Sequence, residues 1–96
     1  MVAVIQSFAD KATELVWLRE MTKRIGPDIQ RLAQRKLRQL NAADSLNDLR
    51  VPPGNRLEAL KGARRGQHSI RVNDQFRICF RWTRNGPTDV ELTDYH

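Results

Sequence analysis

The apolar residues change their spacing near Arg56, and this change constrains the fold more than any other feature. Before that point they recur at the spacing of a helix face; after it they alternate with polar residues, which is typical of strands with one buried face. The sequence therefore predicts an opening strand, two helices and an antiparallel meander, an α+β fold with one layer of helix on one sheet. Because domains usually hold about 100–150 residues, we expect a single domain over residues 1–96.

The first half of the chain carries start and stop signals for two helices. After a short β-branched run at Val2–Ile5, Ser7 and Asp10 resemble a capping box, so the first helix is predicted to begin near Phe8. Gly26-Pro27 ends this helix and opens the second, because proline is tolerated in a first helical turn. Each helix has an apolar stripe, formed by Phe8, Ala12, Leu15, Leu18 and Met21 in the first and by Ile29, Leu32, Ala33, Leu37 and Leu40 in the second.

The second half of the chain is predicted to form the sheet. Residues 41–55 are a polar connector, 57–61 a weak strand and 62–66 a turn. Three clearer strands follow, and their apolar residues are Ile70 and Val72, then Phe76, Ile78, Phe80 and Trp82, then Val90 and Leu92.

The net charge of +6 indicates a polyanionic partner, most often nucleic acid. Residues 56–84 hold eight basic and two acidic side chains, which matches the whole excess. Thirteen arginines against four lysines favour phosphate or RNA, because guanidinium groups bind phosphate with two parallel hydrogen bonds and stack on bases. A basic row on the second helix is interpreted as a solvated surface and is formed by Arg31, Arg35 and Arg38.

Cysteine content and hydropathy bear on the compartment. One cysteine cannot form an internal disulfide, as is usual for intracellular domains. The longest apolar stretches are far shorter than a membrane span, and the N-terminus lacks the apolar core of a signal peptide. We therefore expect a cytoplasmic protein with no membrane partner.

Strand register brings two arginines together. Residues paired across antiparallel strands point to the same face, so Ile70 must pair with an apolar residue of the next strand. A three-residue loop at 73–75 pairs Ile70 with Ile78 and sets Arg71 directly opposite Arg77. Like charges in that position destabilise a sheet by up to about 1 kcal/mol. The pair therefore predicts an anion between the guanidinium groups, with splaying into water as the alternative.

The last hairpin is predicted from the same alternation. A five-residue loop at 83–87 pairs Ile78 with Leu92 and sets Arg81 opposite Asp89. It thereby carries the C-terminal residues towards the two arginines.

The C-terminal residues are therefore candidates for a site. The same register places Thr93 opposite Arg77, and Tyr95 shares the arginine face if the strand persists that far. Asp94 and His96 then lie beside the arginines, in an orientation that depends on where the strand ends.

Five blocks of the sequence resemble HigB-type toxins, members of the RelE-like superfamily of type II toxin–antitoxin systems. The blocks are Pro52–Gly62, Gly66–Asn73, Phe76–Phe80, Val90-Glu91 and Asp94-Tyr95-His96. Each block alone is a weak signal, but the combination is specific, and the resemblance is strong over residues 31–96 and loose before them.

The resemblance implies a function and a set of partners. It implies a small α+β endoribonuclease that uses no metal or other cofactor and cleaves mRNA in the ribosomal A site, which inhibits translation and growth. It also implies a cognate HigA-type helix-turn-helix antitoxin that neutralises the toxin and represses the shared operon. The toxin would then reach operator DNA only through the antitoxin.

The resemblance also implies roles for individual residues. The family's phosphate-binding and transition-state positions fall on Lys61, Arg71 and Arg77. Its C-terminal functional positions fall on Asp94, Tyr95 and His96. Some members have histidine where this chain has Glu58. If that histidine is the general base, the resemblance implies that its role passes to Glu58 or His96, or that activity is weaker. Further RNA contacts are expected from basic side chains in the same half of the chain, namely Arg64, Arg65 and Arg81.

Metal-free RNA cleavage needs a base that removes the 2′-OH proton, cations that stabilise the charge developing on the phosphate, and an acid that protonates the leaving 5′-oxygen. The ribose 2′-OH attacks this phosphate, and Arg71 and Arg77 would stabilise the developing charge. His96, with an ordinary pKa of about 6.5, can serve as acid or base. Tyr95 can stack on a base or protonate the leaving oxygen, and Asp94 would orient a neighbour. Because these groups are few, the ribosome is expected to help to position the mRNA.

Four other conspicuous residues are interpreted as structural. His68 shares the parity of Ile70 and is predicted to be partly buried, whereas Cys79 has the parity of the solvent-facing side. Trp17 and Trp82 are predicted to belong to the core. The sequence has no paired Cys or His ligands, so no metal site is expected.

Two other classes of function use the same features. A non-catalytic RNA- or DNA-binding module would need the basic sheet but neither Tyr95 nor His96. An inactive homologue that only partners a DNA-binding repressor would be consistent with Glu58 in place of histidine.

Overall fold

The computed structural model describes residues 4–95, which form two helices and a four-stranded antiparallel sheet. The helices are α1 (Lys11–Trp17) and α2 (Pro27–Ala42), and the strands are β1 (Glu58–Ala59), β2 (His68–Arg71), β3 (Phe76–Thr83) and β4 (Gly86–Asp94). The strands lie in the order β1-β2-β3-β4. The predicted α+β class is confirmed. Within residues 4–95, no helix has the length and apolar character needed to span a membrane.

Helix α1 begins at Lys11 rather than near Phe8, so the prediction of its start was wrong. The N-cap is Asp10, whose carboxylate accepts a hydrogen bond from the Thr13 N–H at 2.8 Å. The Ser7 hydroxyl oxygen instead accepts a hydrogen bond from the N–H of Asp89 at 2.9 Å. Both residues have a capping oxygen, and the contact with β4 removes Ser7 from competition for the cap.

The end of α1 also differs from the predicted apolar stripe. The helix ends at Trp17, and Arg19 just beyond it has a positive φ of 62°, which helical geometry does not allow. Leu18 and Met21 are therefore outside the helix, and both side chains are exposed. Val16, fully buried, is the main contribution of α1 to the core.

The segment that precedes α1 runs alongside β4 in the parallel direction. The Ala9 N–H donates to the carbonyl of Val90 at 2.9 Å, and the Val90 N–H donates to the carbonyl of Ser7 at 3.1 Å. Of the predicted opening strand, Val2 and Ala3 lie outside the described residues, and Val4 and Ile5 are not part of a regular strand. Gly86 has a φ of 126°, and a Cβ there would collide with the backbone of Val4.

Helix α2 begins at Pro27 as predicted, and its buried face covers the sheet. The buried residues recur at intervals of three and four, and they are Gln30, Ala33, Leu37 and Leu40. Leu32, which was predicted to be part of the apolar stripe, flanks the buried row and is exposed. The basic row of Arg31, Arg35 and Arg38 is exposed, as predicted.

The core lies between α2 and one face of the sheet. On the face of the sheet that meets α2, the apolar residues with no exposed surface are Ile70, Ile78, Phe80 and Val90. Trp17, Trp82 and Phe8 are half-buried at its edge, which confirms the structural interpretation of the two tryptophans. His68 is also half-buried, with its ring stacked on Phe80 at a centroid distance of 6.4 Å, as expected for a structural histidine.

The register of β2 and β3 is the predicted one. Ile70 pairs with Ile78, Arg71 pairs with Arg77, and residues 73–75 form the loop. The Val72 N–H still donates to the carbonyl of Phe76 at 3.0 Å beyond the last ladder pair. The apolar alternation was sufficient here because a shift of one residue would have moved every apolar side chain to solvent.

The hairpin of β3 and β4 follows the prediction at one end and departs from it at the other. Ile78 pairs with Leu92 and Arg77 with Thr93, as predicted. At the tip, however, Thr83 pairs with Gly86, so the turn has two residues rather than five, and Arg81 pairs with Thr88 rather than with Asp89 as predicted. A bulge between these regions places Asp89 and Val90 of β4 opposite Phe80, and Asp89 has a φ of 52°.

The connector is more structured than predicted, and the first strand is shorter. The connector contains two short 3₁₀ turns at Leu46–Arg50 and Pro53–Asn55. The weak strand predicted at 57–61 is reduced to β1, which pairs Glu58 with Ser69 of β2. A third 3₁₀ turn at Gly62–Arg64 forms the predicted turn between β1 and β2.

The cap of α1 yields a prediction about stability. Replacing Asp10 with alanine removes the oxygen that pairs with the Thr13 N–H, so the free energy of unfolding should fall by about 1 kcal/mol. Urea unfolding measures the change. The matched control is Asp10→Asn, since asparagine caps about as well as aspartate, and an equal loss in both variants would contradict the assignment.

Candidate active site

The face of the sheet opposite α2 carries Ser69, Arg71, Arg77 and Cys79, and we call it the arginine face. Arg77 lies at its centre and is held by three hydrogen bonds. Its Nε donates to the Ser69 hydroxyl at 2.7 Å, and its Nη2 donates to the carbonyls of Arg56 at 2.6 Å and Ser69 at 3.3 Å. All these acceptors are neutral oxygens, so they orient the guanidinium without neutralising its charge.

Arg71 is held differently from its ladder partner Arg77. Its Nη2 forms an ion pair with the fully exposed carboxylate of Asp74, in the loop between β2 and β3. The two arginines therefore have separate anchors, and the repulsion expected between them is reduced without a bound anion. Because exposed ion pairs are weak, an incoming phosphate can replace Asp74.

Tyr95 follows β4 and packs its hydroxyl group against the arginine face, as predicted. The hydroxyl lies 3.6 Å from the Sγ of Cys79, and the Tyr95 N–H donates to the carbonyl of Gln75 at 2.5 Å. Although 38% of the residue is exposed, its hydroxyl end is turned inwards. Burial and the hydrogen bond with Cys79 raise the pKa of Tyr95, while Arg64 and Arg77 oppose the shift. The phenol is therefore neutral at physiological pH.

Cys79 has the predicted parity but not the predicted environment. It is fully buried, because Tyr95 covers the position that an uncovered sheet would expose. Parity assigns a side chain to a face of the sheet, but whether that face is covered depends on residues remote in sequence.

Arg64 and Glu91 form an ion pair at the edge of the same face. The Arg64 Nη1 lies 3.2 Å from the Glu91 carboxylate, and each side chain is 30% exposed. The hydrogen bond with Glu91 raises the pKa of Arg64 despite the opposing effect of burial. Together with Thr93, Asp94 and Tyr95, Arg64 lines an open depression of about 560 Å³.

Asp94 ends β4 beside the loop between β2 and β3. Its carboxylate accepts a hydrogen bond from the Gln75 Nε2 at 3.1 Å, and its backbone pairs with Phe76. This loop thus fixes the position from which the next residues continue. His96 lies outside the described residues.

The other predicted site residues are more dispersed. Glu58 is exposed at the edge of the arginine face, in one cross-strand row with Ser69, Cys79 and Glu91. Arg81 is on the far side of the bulge, where its Nε lies 3.9 Å from Asp89. Two further basic residues, exposed on either side of the Gly62–Arg64 turn, are Lys61 and Arg65.

The structure adds two groups that the sequence analysis did not assign. Ser69 accepts a hydrogen bond from Arg77. The sequence could have indicated this, because Ser69 lies two residues before Arg71 and therefore on the same face of the strand. Lys36 of α2 donates to the buried Asn55 Oδ1 at 2.6 Å. Burial, followed by repulsion from Arg35 and Arg71, lowers the pKa of Lys36. Within residues 4–95, no group of three or more His, Cys, Asp or Glu side chains is arranged to hold a metal ion.

The environment of Tyr95 yields a prediction for its titration. Tyr95 is the sole tyrosine of the chain, so ultraviolet absorbance reports its ionisation directly. The midpoint should lie above the ordinary value of 10.0, and Cys79→Ala should lower it, because the hydrogen bond with Cys79 raises the pKa. Cys79→Ser retains a hydrogen-bonding group and should stay nearer the wild type. A wild-type midpoint at or below 10.0 would contradict the inward hydroxyl.

Comparison with known proteins identifies the family. The family model described as "RelE-like toxin of type II toxin-antitoxin system HigB" matches residues 6–96. The chain is 45% identical over 76 residues to "Toxin HigB-1" of Vibrio cholerae serotype O1, an alignment that covers 78% of this chain and 80% of that protein. It is 37% identical over 69 residues to a protein of Haemophilus influenzae named only "Uncharacterized protein", with 72% and 68% covered. With its α+β fold and its arginine face, the chain belongs to the HigB-type toxins of type II toxin–antitoxin systems, in the RelE-like superfamily.

Proposed function

We propose that the protein is a metal-independent endoribonuclease that cleaves mRNA in the ribosomal A site and thereby arrests translation and growth. The observation that carries this proposal is the Arg77 guanidinium, which neutral oxygens hold in place beside Arg71. Its charge is uncompensated by its hydrogen-bond acceptors and is therefore available to a phosphate. Membership of the HigB-type toxins supports the same activity.

The chemistry proposed for this face is attack of the ribose 2′-OH on the adjacent phosphate. Arg77 and Arg71 stabilise the additional negative charge of the pentacoordinate phosphorane, and Arg77, which does not need to reorganise, contributes most. The Tyr95 ring stacks on a base, or its neutral hydroxyl protonates the leaving 5′-oxygen. His96 or Glu58 removes the 2′ proton, and Asp94 orients the C-terminal residues.

The basic residues around the depression bind the RNA backbone on either side of the scissile phosphate. Lys61 and Arg65 are exposed and suited to phosphate contacts, and Arg64 lines the depression itself. Arg81 extends the basic surface beyond the bulge. Because the acid and base groups are few, the ribosome supplies the alignment of the mRNA in this proposal.

The proposed partners follow from the family. A HigA-type helix-turn-helix antitoxin neutralises the toxin and connects it to operator DNA, and the ribosome presents the mRNA in the cytoplasm. No membrane and no cofactor has a role in this proposal.

Induction of the protein without its antitoxin tests the proposed activity. Mapping of mRNA 5′ ends on ribosomes should show cuts at defined positions within codons. Arg77→Ala should reduce cutting by about 100-fold or more, the usual effect of removing one preorganised donor to a developing anion. Arg77→Lys should cut mRNA somewhat faster than Arg77→Ala but more slowly than the wild type, because lysine keeps the charge but lacks the planar set of donors.

Arg38→Ala is the matched control, since Arg38 is exposed on α2 and belongs to the solvated basic row. It should leave the cuts unchanged. Ribosome or RNA binding without cuts would instead favour a non-catalytic binding module. Absence of both cuts and growth arrest, with retained antitoxin binding, would favour an inactive partner of the repressor.

His96 yields a separate prediction about proton transfer. His96→Ala should abolish growth arrest while folding and antitoxin binding persist, because a positioned acid or base contributes about 100- to 10,000-fold. Growth curves and copurification with the antitoxin measure the two effects. Persistent toxicity would reject a catalytic role for His96. The same measurement on Glu58→Gln shows whether that carboxylate shares the role of base.

A further inference from the structure

Asn55 is a fully buried polar residue in the connector, and every polar atom of its side chain is hydrogen-bonded. Its Nδ2 donates to the carbonyls of Leu49 at 3.2 Å and Val51 at 3.4 Å, and its Oδ1 accepts from the Lys36 Nζ at 2.6 Å. Burying an amide is unfavourable unless such bonds replace its contacts with water. The side chain thus joins both 3₁₀ turns of the connector to α2.

The residue that follows Asn55 supplies one of the acceptors for Arg77. Arg56 has the left-handed conformation, with φ 45° and ψ 55°, which is unfavourable for a residue with a long side chain and is offset here by the surrounding contacts. In this conformation its carbonyl accepts the 2.6 Å hydrogen bond from the Arg77 Nη2. The flanking backbone bonds, from Asn55 N–H to Pro52 and from Arg56 N–H to Pro53, belong to the same turn.

Lys36 completes the connection from the helix. Its ammonium group is half-buried and lies within the electrostatic influence of Arg71. A cation placed so close to other cations needs a fixed acceptor, and the Asn55 Oδ1 provides it. Two hydrogen bonds and the peptide backbone between them therefore connect α2 to the guanidinium of Arg77: Lys36 donates to the Asn55 side chain, and Arg77 donates to the carbonyl of the next residue, Arg56.

We propose that Asn55 is a positioning residue for Arg77: its buried side chain holds the turn whose Arg56 carbonyl orients the guanidinium towards the scissile phosphate. The inference rests on the proposed ribonuclease function for its catalytic consequence, whereas its geometric part is independent of activity. Ser69 accepts from the Nε through its hydroxyl and from the Nη2 through its carbonyl at 3.3 Å, and the turn held by Asn55 supplies the shorter Nη2 bond, at 2.6 Å. Loss of that shorter bond leaves Arg77 held by Ser69 alone, so that the guanidinium can tilt from its orientation.

The first test is kinetic and uses Asn55→Asp, which keeps the volume but removes both N–H donors. The rate of cleavage at saturating ribosome complexes should fall about 10- to 100-fold, because small misplacements of a catalytic group cost that much. The KM for the complexes should stay nearly unchanged, since Arg71 and Arg77, the proposed phosphate-binding cations, are both retained. In an Arg77→Ala background the same substitution should have no further effect, and full additivity would overturn the proposal.

Two substitutions of Lys36 distinguish an effect on the position of Arg77 from an effect of the lost positive charge. Lys36→Met and Lys36→Gln remove the same charge, but glutamine retains an N–H that can donate to the Asn55 Oδ1. Lys36→Gln should therefore cleave faster than Lys36→Met. Equal losses in the two variants would assign the effect to charge and contradict transmission through Asn55.

A matched control accounts for stability. Asn41→Ala also removes a side-chain hydrogen bond of an asparagine that joins two segments, since the Asn41 Oδ1 accepts from the Ile5 N–H at 2.9 Å. It should lower stability without lowering the rate per folded molecule. An equal rate loss in Asn41→Ala would mean that the Asn55 effect is general destabilisation.

The last measurement does not depend on activity. In ¹⁵N-labelled protein, the Arg77 Nε–H resonance, assigned with Arg77→Lys, should be protected from solvent exchange by Ser69 and should shift in Asn55→Asp. An unchanged resonance in the variant would overturn the proposal even if its cleavage were slow. A shifted resonance in a protein whose wild type does not cleave would retain the positioning role and reject the proposed function.

Discussion

The pairing of Ile70 with Ile78 is the constraint on which the other features depend. Both residues are fully buried against α2, so the register of β2 and β3 cannot shift by one residue without exposing the core. Side chains of the opposite parity must then face away from the helix. Arg71 and Arg77 are adjacent for this reason, and the arginine face is a consequence of how the core is packed.

The two arginines illustrate two ways to place a cation on a sheet. Arg71 has a charged and fully exposed partner, Asp74, and can exchange it for a phosphate. Arg77 has neutral partners, the buried Ser69 and the backbone carbonyl of Arg56, and its orientation is set before any ligand arrives. A site with one exchangeable and one fixed cation can bind a flexible polyanion and still present one donor group in a defined geometry.

The sequence was sufficient for the parts of the molecule that follow from alternation and loop length. The contact of Arg71 with Arg77 is of this kind, because period-two patterning specifies both the face and the register. The bulge at Asp89 could not be predicted from the sequence, since a two-residue turn with a bulge and a five-residue loop give the same strand pairing near the site. The burial of Cys79 and the role of Asn55 depend on which remote residues cover them, and a single sequence does not contain that information in its local pattern.

The bulge in β4 has a consequence for how the hairpin can vary. It divides the strand into a part paired through the tip, where Thr83 meets Gly86, and a part paired through Leu92 and Thr93. The two parts have different registers, and the extra residue at Asp89 absorbs the difference. Insertions at the two-residue tip therefore do not alter the pairing beyond the bulge.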